Sequence, residues 1–131
     1  MTTSAELRKS LRFTYDEALL RVPEALKKEG FGILTEIDIK NTLQQKLGVA
    51  FRRYRILGAC NPPFAHQALQ ADLEAGLMLP CNVVVYEGDD GKAVVLAVDP
   101  TLAVAASGNP TLVDLAAAVR QKLENALAKL E

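Results

Sequence analysis

The chain has 131 residues, of which 50% are apolar and 24% are charged, a balance typical of one globular domain. We therefore predict a single domain over residues 1–131. Fifteen basic residues against sixteen acidic ones give a formal net charge of -1, and tryptophan is absent. Such a chain offers neither a strong positive field nor a base-stacking platform, so we expect no nucleic-acid partner.

Hydropathy and cysteine usage indicate the compartment. No apolar run approaches the roughly 20 residues that cross a bilayer, and residues 1–9 lack the apolar centre of a signal peptide. We expect a cytoplasmic protein with no membrane partner. In that compartment Cys60 and Cys81, the two cysteines, are expected to be reduced thiols.

The first elements are predicted from local patterns. Residues 7–13 form a short strand, and Thr14 with Glu17 matches a capping box at the start of a helix ending at Gly30. Pro23 lies inside that helix and predicts a kink or a restart. Residues 31–39 alternate between apolar and polar positions, which predicts a strand with one apolar face.

Charged residues in this region have a simple structural interpretation. Glu36 and Asp38 share the second face of the strand 31–39. A short helix over 41–47 leads to a further strand over 51–57, in which Arg53 and Arg55 share a face. If the two strands are neighbours, these four side chains form cross-strand ion pairs.

The second half predicts a helix, a hairpin and a final helix. Asn61 is a candidate cap for a helix over 62–79, with the apolar stripe Ala65, Leu69, Leu73 and Leu77. Strands over 82–86 and 92–98 are joined by a Gly- and Asp-rich turn. A last helix follows Asn109, and its apolar stripe runs from Leu112 to Leu130.

This order predicts an α+β two-layer sandwich, with a mainly antiparallel sheet of about five strands and helices covering one face. The strand over 92–98 is apolar on both sides, so its second face also needs cover. A second copy of the chain would supply that cover, which favours a homodimer.

Two Cys-Asn dipeptides, Cys60-Asn61 and Cys81-Asn82, bracket the helix predicted over 62–79. Cys60 directly precedes that helix, where free N–H groups favour a thiolate. Three other interpretations remain open: a buried packing cysteine, a disulfide with Cys81, and reversible oxidation of the pair. Cys60, His66 and Cys81 are weak candidates for a metal site, because their spacing matches no strong metal signature.

Four blocks of sequence carry a resemblance to a known family. They are residues 30–38, residues 46–48, residues 54–62 and residues 79–86. In this order they resemble the DUF302 family, a domain of unknown function. The resemblance implies a small prokaryotic α+β domain with a sheet backed by helices, and a homodimer; it implies no activity. It also implies a site region, which falls here on Glu36, Asp38, Tyr54, Cys60, Asn61, Pro80 and Cys81.

Two functional hypotheses follow. The preferred one is a non-catalytic, homodimeric module in which the sheet and the Cys-Asn junctions form a pocket for a small molecule or metal, or a surface for a protein partner. The alternative is a thiol-based redox or nucleophilic enzyme, with Cys60 as nucleophile, Cys81 as resolving thiol, and Asn61 or helix N–H groups stabilising an anion. Neither hypothesis specifies a cofactor.

Overall fold

Five antiparallel strands form one sheet in the order β1-β5-β4-β3-β2 in a computed structural model, which describes residues 7–130. The strands are β1 (Arg8–Thr14), β2 (Gly32–Asp38), β3 (Tyr54–Cys60), β4 (Cys81–Glu87) and β5 (Lys92–Ala97). The helices are α1 (Tyr15–Lys28), α2 (Ile39–Leu47), α3 (Pro62–Ala71), α4 (Pro100–Val104) and α5 (Pro110–Ala128). Two 3₁₀ segments, Leu73–Met78 and Ala105–Ser107, follow α3 and α4. The predicted α+β class and antiparallel sheet are confirmed.

Side-chain caps explain where the main helices begin. Thr14 Oγ1 accepts a hydrogen bond from the Glu17 N–H at the start of α1, as the capping-box pattern predicts. Asn109 Oδ1 accepts from the Thr111 N–H at the start of α5. α1 runs through Pro23 as one helix, so a restart at that proline is wrong.

The main core lies between the sheet and the helices α1 and α5. Its fully buried side chains come from one face of the sheet and from the apolar stripes of the two helices: Leu26, Leu57, Val83, Val85, Val95 and Leu123. A second, smaller core consists of Ala75, Val104, Leu112 and Ala116, beneath the 3₁₀ segment Leu73–Met78 and α4. The site described below lies where these two cores meet.

The predicted alternation along β2 is wrong after Ile33. Ile33 pairs with Ala59 but Thr35 pairs with Gly58, so Leu34 is an extra residue in the ladder, as in a β-bulge. The bulge turns Thr35 and Ile37 away from the face to which Ile33 belongs. A pattern with period two cannot reveal such an insertion, because each side of the bulge still alternates normally.

The helix predicted over 62–79 is shorter than expected. α3 ends at Ala71, Asp72 is extended, and its carboxylate accepts a hydrogen bond from the Glu74 N–H at the start of the 3₁₀ segment. The break removes the last half of the predicted apolar stripe from the core. Leu73 and Leu77 are therefore 87% and 90% exposed.

The sheet face opposite α1 and α5, called the open face below, is also apolar. Cross-strand pairs place Ile37, Ile56, Val84 and Leu96 in one row across four strands. Beside that row Tyr54 and Tyr86 stack with ring centroids 5.7 Å apart. Their partial exposure shows that the described chain does not fully cover this face.

Within residues 7–130, no helix has both the length and the apolar character that crossing a membrane requires.

Candidate functional site

An apolar cavity of about 70 Å³ lies at one end of the sheet, between β3, β4, α3 and α5. Cys60 and Cys81 both line it, so the two helix junctions converge as their positions in the sequence suggested. The remaining lining is almost wholly aliphatic or aromatic: Phe31, Ala59, Phe64, Ala65, Ala68, Ala75, Met78, Leu79, Pro100, Ala103, Val104, Leu112, Leu115, Ala116 and Val119, together with Asn61.

The sheet register determines where the two cysteines lie. Cys81 is the first residue of β4 and pairs with Ala59, which belongs to the main core. Its side chain therefore faces the helices and is buried. Cys60, the last residue of β3, is partly exposed at the edge of the same cavity.

Asn61 has a structural role that the sequence did not indicate. It occupies the position before α3, but its side chain makes no capping hydrogen bond, so the predicted side-chain cap is wrong. Instead Asn61 Nδ2 donates to the Glu29 carbonyl oxygen at 3.1 Å. This bond ties the start of α3 to the turn before β2, where Gly30 has a φ of 89° and lies directly beneath the amide.

The electrostatics of the cavity disfavour a reactive thiolate. Burial raises the pKa of Cys81 to about 11, with a smaller contribution from neighbouring Cys60. The N-terminus of α3 offers Cys60 little help, because Pro62 and Pro63 occupy its first two positions and have no N–H group. Two of the backbone N–H groups expected to stabilise an anion beside Cys60 are thus absent.

The three weak candidates for a metal site do not form a cluster. In the part of the chain that the structure describes, no group of three or more His, Cys, Asp or Glu side chains is arranged to hold a metal ion. His66 is exposed on α3 and does not line the cavity.

A shallow groove of about 280 Å³, called the outer groove below, adjoins the cavity. It is lined by Leu77, Met78, Leu79, Pro80, Cys81, Asn82, Val98, Pro100 and Ala103. Pro80 from the predicted site region belongs here, after a cis peptide bond. On the open face, Pro80 and Thr35 close over Gly58, where a Cβ atom would lie 2.2 Å from Thr35 Oγ1 and 2.9 Å from Pro80 Cγ.

Two further predicted site residues, Glu36 and Asp38, belong to a separate group of charges near the start of α1. Arg55 forms an ion pair with Glu36, and its Nη2 lies 3.6 Å from Asp38 Oδ2. These pairs confirm half of the cross-strand prediction. The other half is wrong: Arg53 lies 2.9 Å from Asp16 and 2.8 Å from Glu87.

Protonation in this charged group follows its contacts. The hydrogen bond to Glu36 raises the pKa of Arg55. Burial raises the pKa of Tyr15, partly opposed by the positive charge of Arg55. Arg53 stacks over the Tyr15 ring at 4.7 Å. The group is therefore a network of ion pairs around one tyrosine, in which each of the two arginines contacts two carboxylates.

The structure thus does not bring all the predicted site residues together. Asp38 pairs with Arg55, and Cys60 lies five residues further along β3, so about 17 Å of strand separates them. Cys60, Asn61 and Cys81 line the cavity; Tyr54 lies on the open face. Sequence reasoning missed Met78, Ala103 and Ala116, because an apolar side chain that lines a cavity carries the same sequence signal as one that packs in a core.

An antiparallel sheet backed by helices, with an apolar cavity at the junction of two cores, defines a two-layer α+β sandwich protein. The family model for the domain of unknown function DUF302 matches residues 7–130, and the chain belongs to that family.

A solved relative shows how closely the architecture is shared. The crystal structure of an uncharacterized conserved DUF302 protein from Bacillus stearothermophilus is 32% identical in sequence. The match covers 95% of this chain and 96% of that one, with a TM-score of 0.87. No curated protein matches the sequence.

Proposed function

We propose that this chain is a homodimeric, non-catalytic module that binds a small apolar molecule in the cavity beside Cys60 and Cys81. One observation carries the proposal. The cavity is lined by neutral side chains from β3, β4, α3, α4, α5 and the 3₁₀ segment Leu73–Met78, and among residues 7–130 no Asp, Glu, Lys, Arg or His lines it. A pocket of this composition recognises a ligand through apolar contact.

The contacts of the thiols support binding over catalysis. A nucleophilic or redox cysteine needs an accessible thiolate and groups that stabilise it. Cys81 is buried and its pKa is raised, and the Asn61 side-chain amide already donates a hydrogen bond to the Glu29 carbonyl oxygen. These features suit packing cysteines in a cavity wall better than an attacking and resolving pair.

A matched pair of substitutions on α5 tests the ligand site. Ala116 lines the cavity and is 5% exposed, whereas Ala117 is exposed on the same helix. We expect xenon to bind the wild type and Ala117→Leu. We expect no xenon binding in Ala116→Leu, because the larger side chain fills the cavity. Xenon NMR measures this binding, and native mass spectrometry of the protein as purified shows any retained small molecule. A wild type that binds no xenon and retains no adduct contradicts the proposal.

The open face supports the homodimer. Its apolar row Ile37, Ile56, Val84 and Leu96 ends at Arg8, and Ser10 lies beside Arg8 on the same edge strand. An apolar centre with a polar edge is the usual anatomy of an interface. Five strands of this length present roughly 550 Å² on one face. A stable dimer buries about 800 Å² per partner, so Phe51, which contacts the Tyr54 ring, would extend the interface.

Two exposed apolar residues, one on the open face and one elsewhere, allow the effect on dimerisation to be distinguished from a general surface effect. Ile37 is 47% exposed on the open face, and Leu20 is 70% exposed on the outer side of α1. We expect Ile37→Lys to shift the mass measured by light scattering towards the monomer, and Leu20→Lys to leave a dimer. A wild type that is monomeric at all concentrations contradicts this part of the proposal.

A further inference from the structure

The cavity and the outer groove are two parts of one potential channel. Five residues line both of them: Met78, Leu79, Cys81, Pro100 and Ala103. These shared residues, called the wall below, border about 70 Å³ on the inner side and about 280 Å³ on the outer side, together about 350 Å³. The combined volume reaches the lower end of the range of roughly 300–1,000 Å³ that is typical of small-molecule sites, which the inner cavity alone does not.

The chemistry of the wall changes along this channel. The inner part is lined by apolar side chains, with one amide that is already bonded to the Glu29 carbonyl. The outer groove adds Asn82, whose exposed side-chain amide can both donate and accept hydrogen bonds. No charged side chain of the described residues lines either part. An ionised ligand group would therefore lack a partner of opposite charge there.

The wall is built from elements that can move at low cost. Met78, an unbranched and adaptable side chain, ends the 3₁₀ segment Leu73–Met78, and Ala103 lies on the five-residue helix α4. Beneath them the second core contains mostly small residues. Little apolar burial holds these short elements, so local opening there costs less than opening the main core.

We infer that the site takes a neutral amphipathic molecule of medium chain length. Its alkyl chain passes the wall at Met78 and Ala103 into the cavity, and its hydroxyl or amide head group stays in the outer groove at Asn82. This inference rests on the proposed function, because it needs the inner cavity to accept an apolar guest. It adds the ligand class, its orientation and its route of entry.

Three probes test the inference on the full chain: xenon, 1-octanol and octanoate at neutral pH. We expect the wild type to bind xenon and 1-octanol, and to bind octanoate at least about tenfold more weakly because its carboxylate is unpaired. NMR chemical-shift titration measures all three. Equal affinity for octanoate and 1-octanol overturns the assigned ligand class.

Variants locate the route and the head group. Ala103→Phe fills the wall and should abolish 1-octanol binding while xenon still binds; Leu102→Phe, at an exposed neighbouring position on α4, should leave both unchanged. Asn82→Ala changes an exposed side chain, so folding is not at risk, and should weaken 1-octanol binding by about fivefold without affecting xenon. Xenon binding without 1-octanol binding overturns this inference alone, whereas binding of neither probe overturns the proposed function too. Unchanged affinity in Asn82→Ala contradicts the orientation.

Discussion

The thiol of Cys81 allows a quantitative test of whether its surroundings are buried and apolar. Burial raises the pKa of its thiol from an ordinary 9.0 to about 11. At pH 8 the folded state should then contain about 100-fold less Cys81 thiolate than the unfolded chain. Because the thiolate is the species that reacts with iodoacetamide, alkylation of Cys81 should slow at least by that factor.

The variant Cys60→Ser isolates this effect, since Cys81 is then the one remaining thiol. Alkylation followed by mass spectrometry in native buffer and in denaturant gives the two rates. If Cys81 is alkylated in the folded protein at a rate within about tenfold of that in denaturant, the side chain is not buried in apolar surroundings.

The same shift has a consequence for stability. A thiol whose pKa is raised on folding contributes stability that is fully present below pH 9 and is lost as the pH rises towards 11. The loss amounts to about 3 kcal/mol, since each pH unit of pKa difference corresponds to roughly 1.4 kcal/mol. Denaturant melts of Cys60→Ser and of Cys60→Ser with Cys81→Ala measure it by difference, because other titrating groups cancel. Identical pH profiles would contradict the linkage.

Further predictions concern packing and the junction between α1 and β2. Gly58→Ala should destabilise the fold by about 1–3 kcal/mol, because the new Cβ would overlap the side chains of Thr35 and Pro80. Gly32→Ala is the control and should cost little, because a Cβ there has open space. Equal melting curves for the two variants would contradict this. Leu123→Ala should cost about 2–5 kcal/mol in urea unfolding and Leu77→Ala almost nothing, since the first side chain is 0% and the second 90% exposed. Asn61→Ala should cost about 1–3 kcal/mol by leaving the Glu29 carbonyl without its donor, and a change below about 0.5 kcal/mol would show that this bond does not secure the junction.

Much of the fold follows from local patterns in the sequence. The hairpin between β4 and β5 and the helix α5 were predicted within a few residues of their observed bounds. In each, periodicity, a turn or cap signal and the buried face agree, so local and tertiary preferences point to the same structure. The antiparallel sheet then follows from the order of these elements.

The errors arise where a short-range feature changes the register. Leu34 adds one residue to β2, and Asp72 ends α3 by accepting a hydrogen bond from the Glu74 N–H. Each change affects one or two residues, yet it redirects every apolar side chain that follows. A single-sequence pattern averages over several residues and therefore cannot locate such a change.

The candidate site shows a different limit. The two Cys-Asn junctions were correctly expected to meet, because Cys60 ends one strand and Cys81 begins its neighbour. The chemistry of the meeting point was not predictable, since it depends on α5 and α4, which are distant in sequence. Those elements contribute Ala103 and Ala116, whose small side chains leave the cavity open.

Two features of the junction decide how the cysteines should be interpreted. A helix N-terminus normally favours an adjacent thiolate through free N–H groups, but Pro62 and Pro63 remove two of them. The nearest amide, that of Asn61, donates to a backbone carbonyl instead. The same motif that places Cys60 beside a helix therefore also lowers its capacity to stabilise an anion. Two thiols in an apolar lining without a charged side chain are therefore the reason why we propose a binding cavity there and not a catalytic pair.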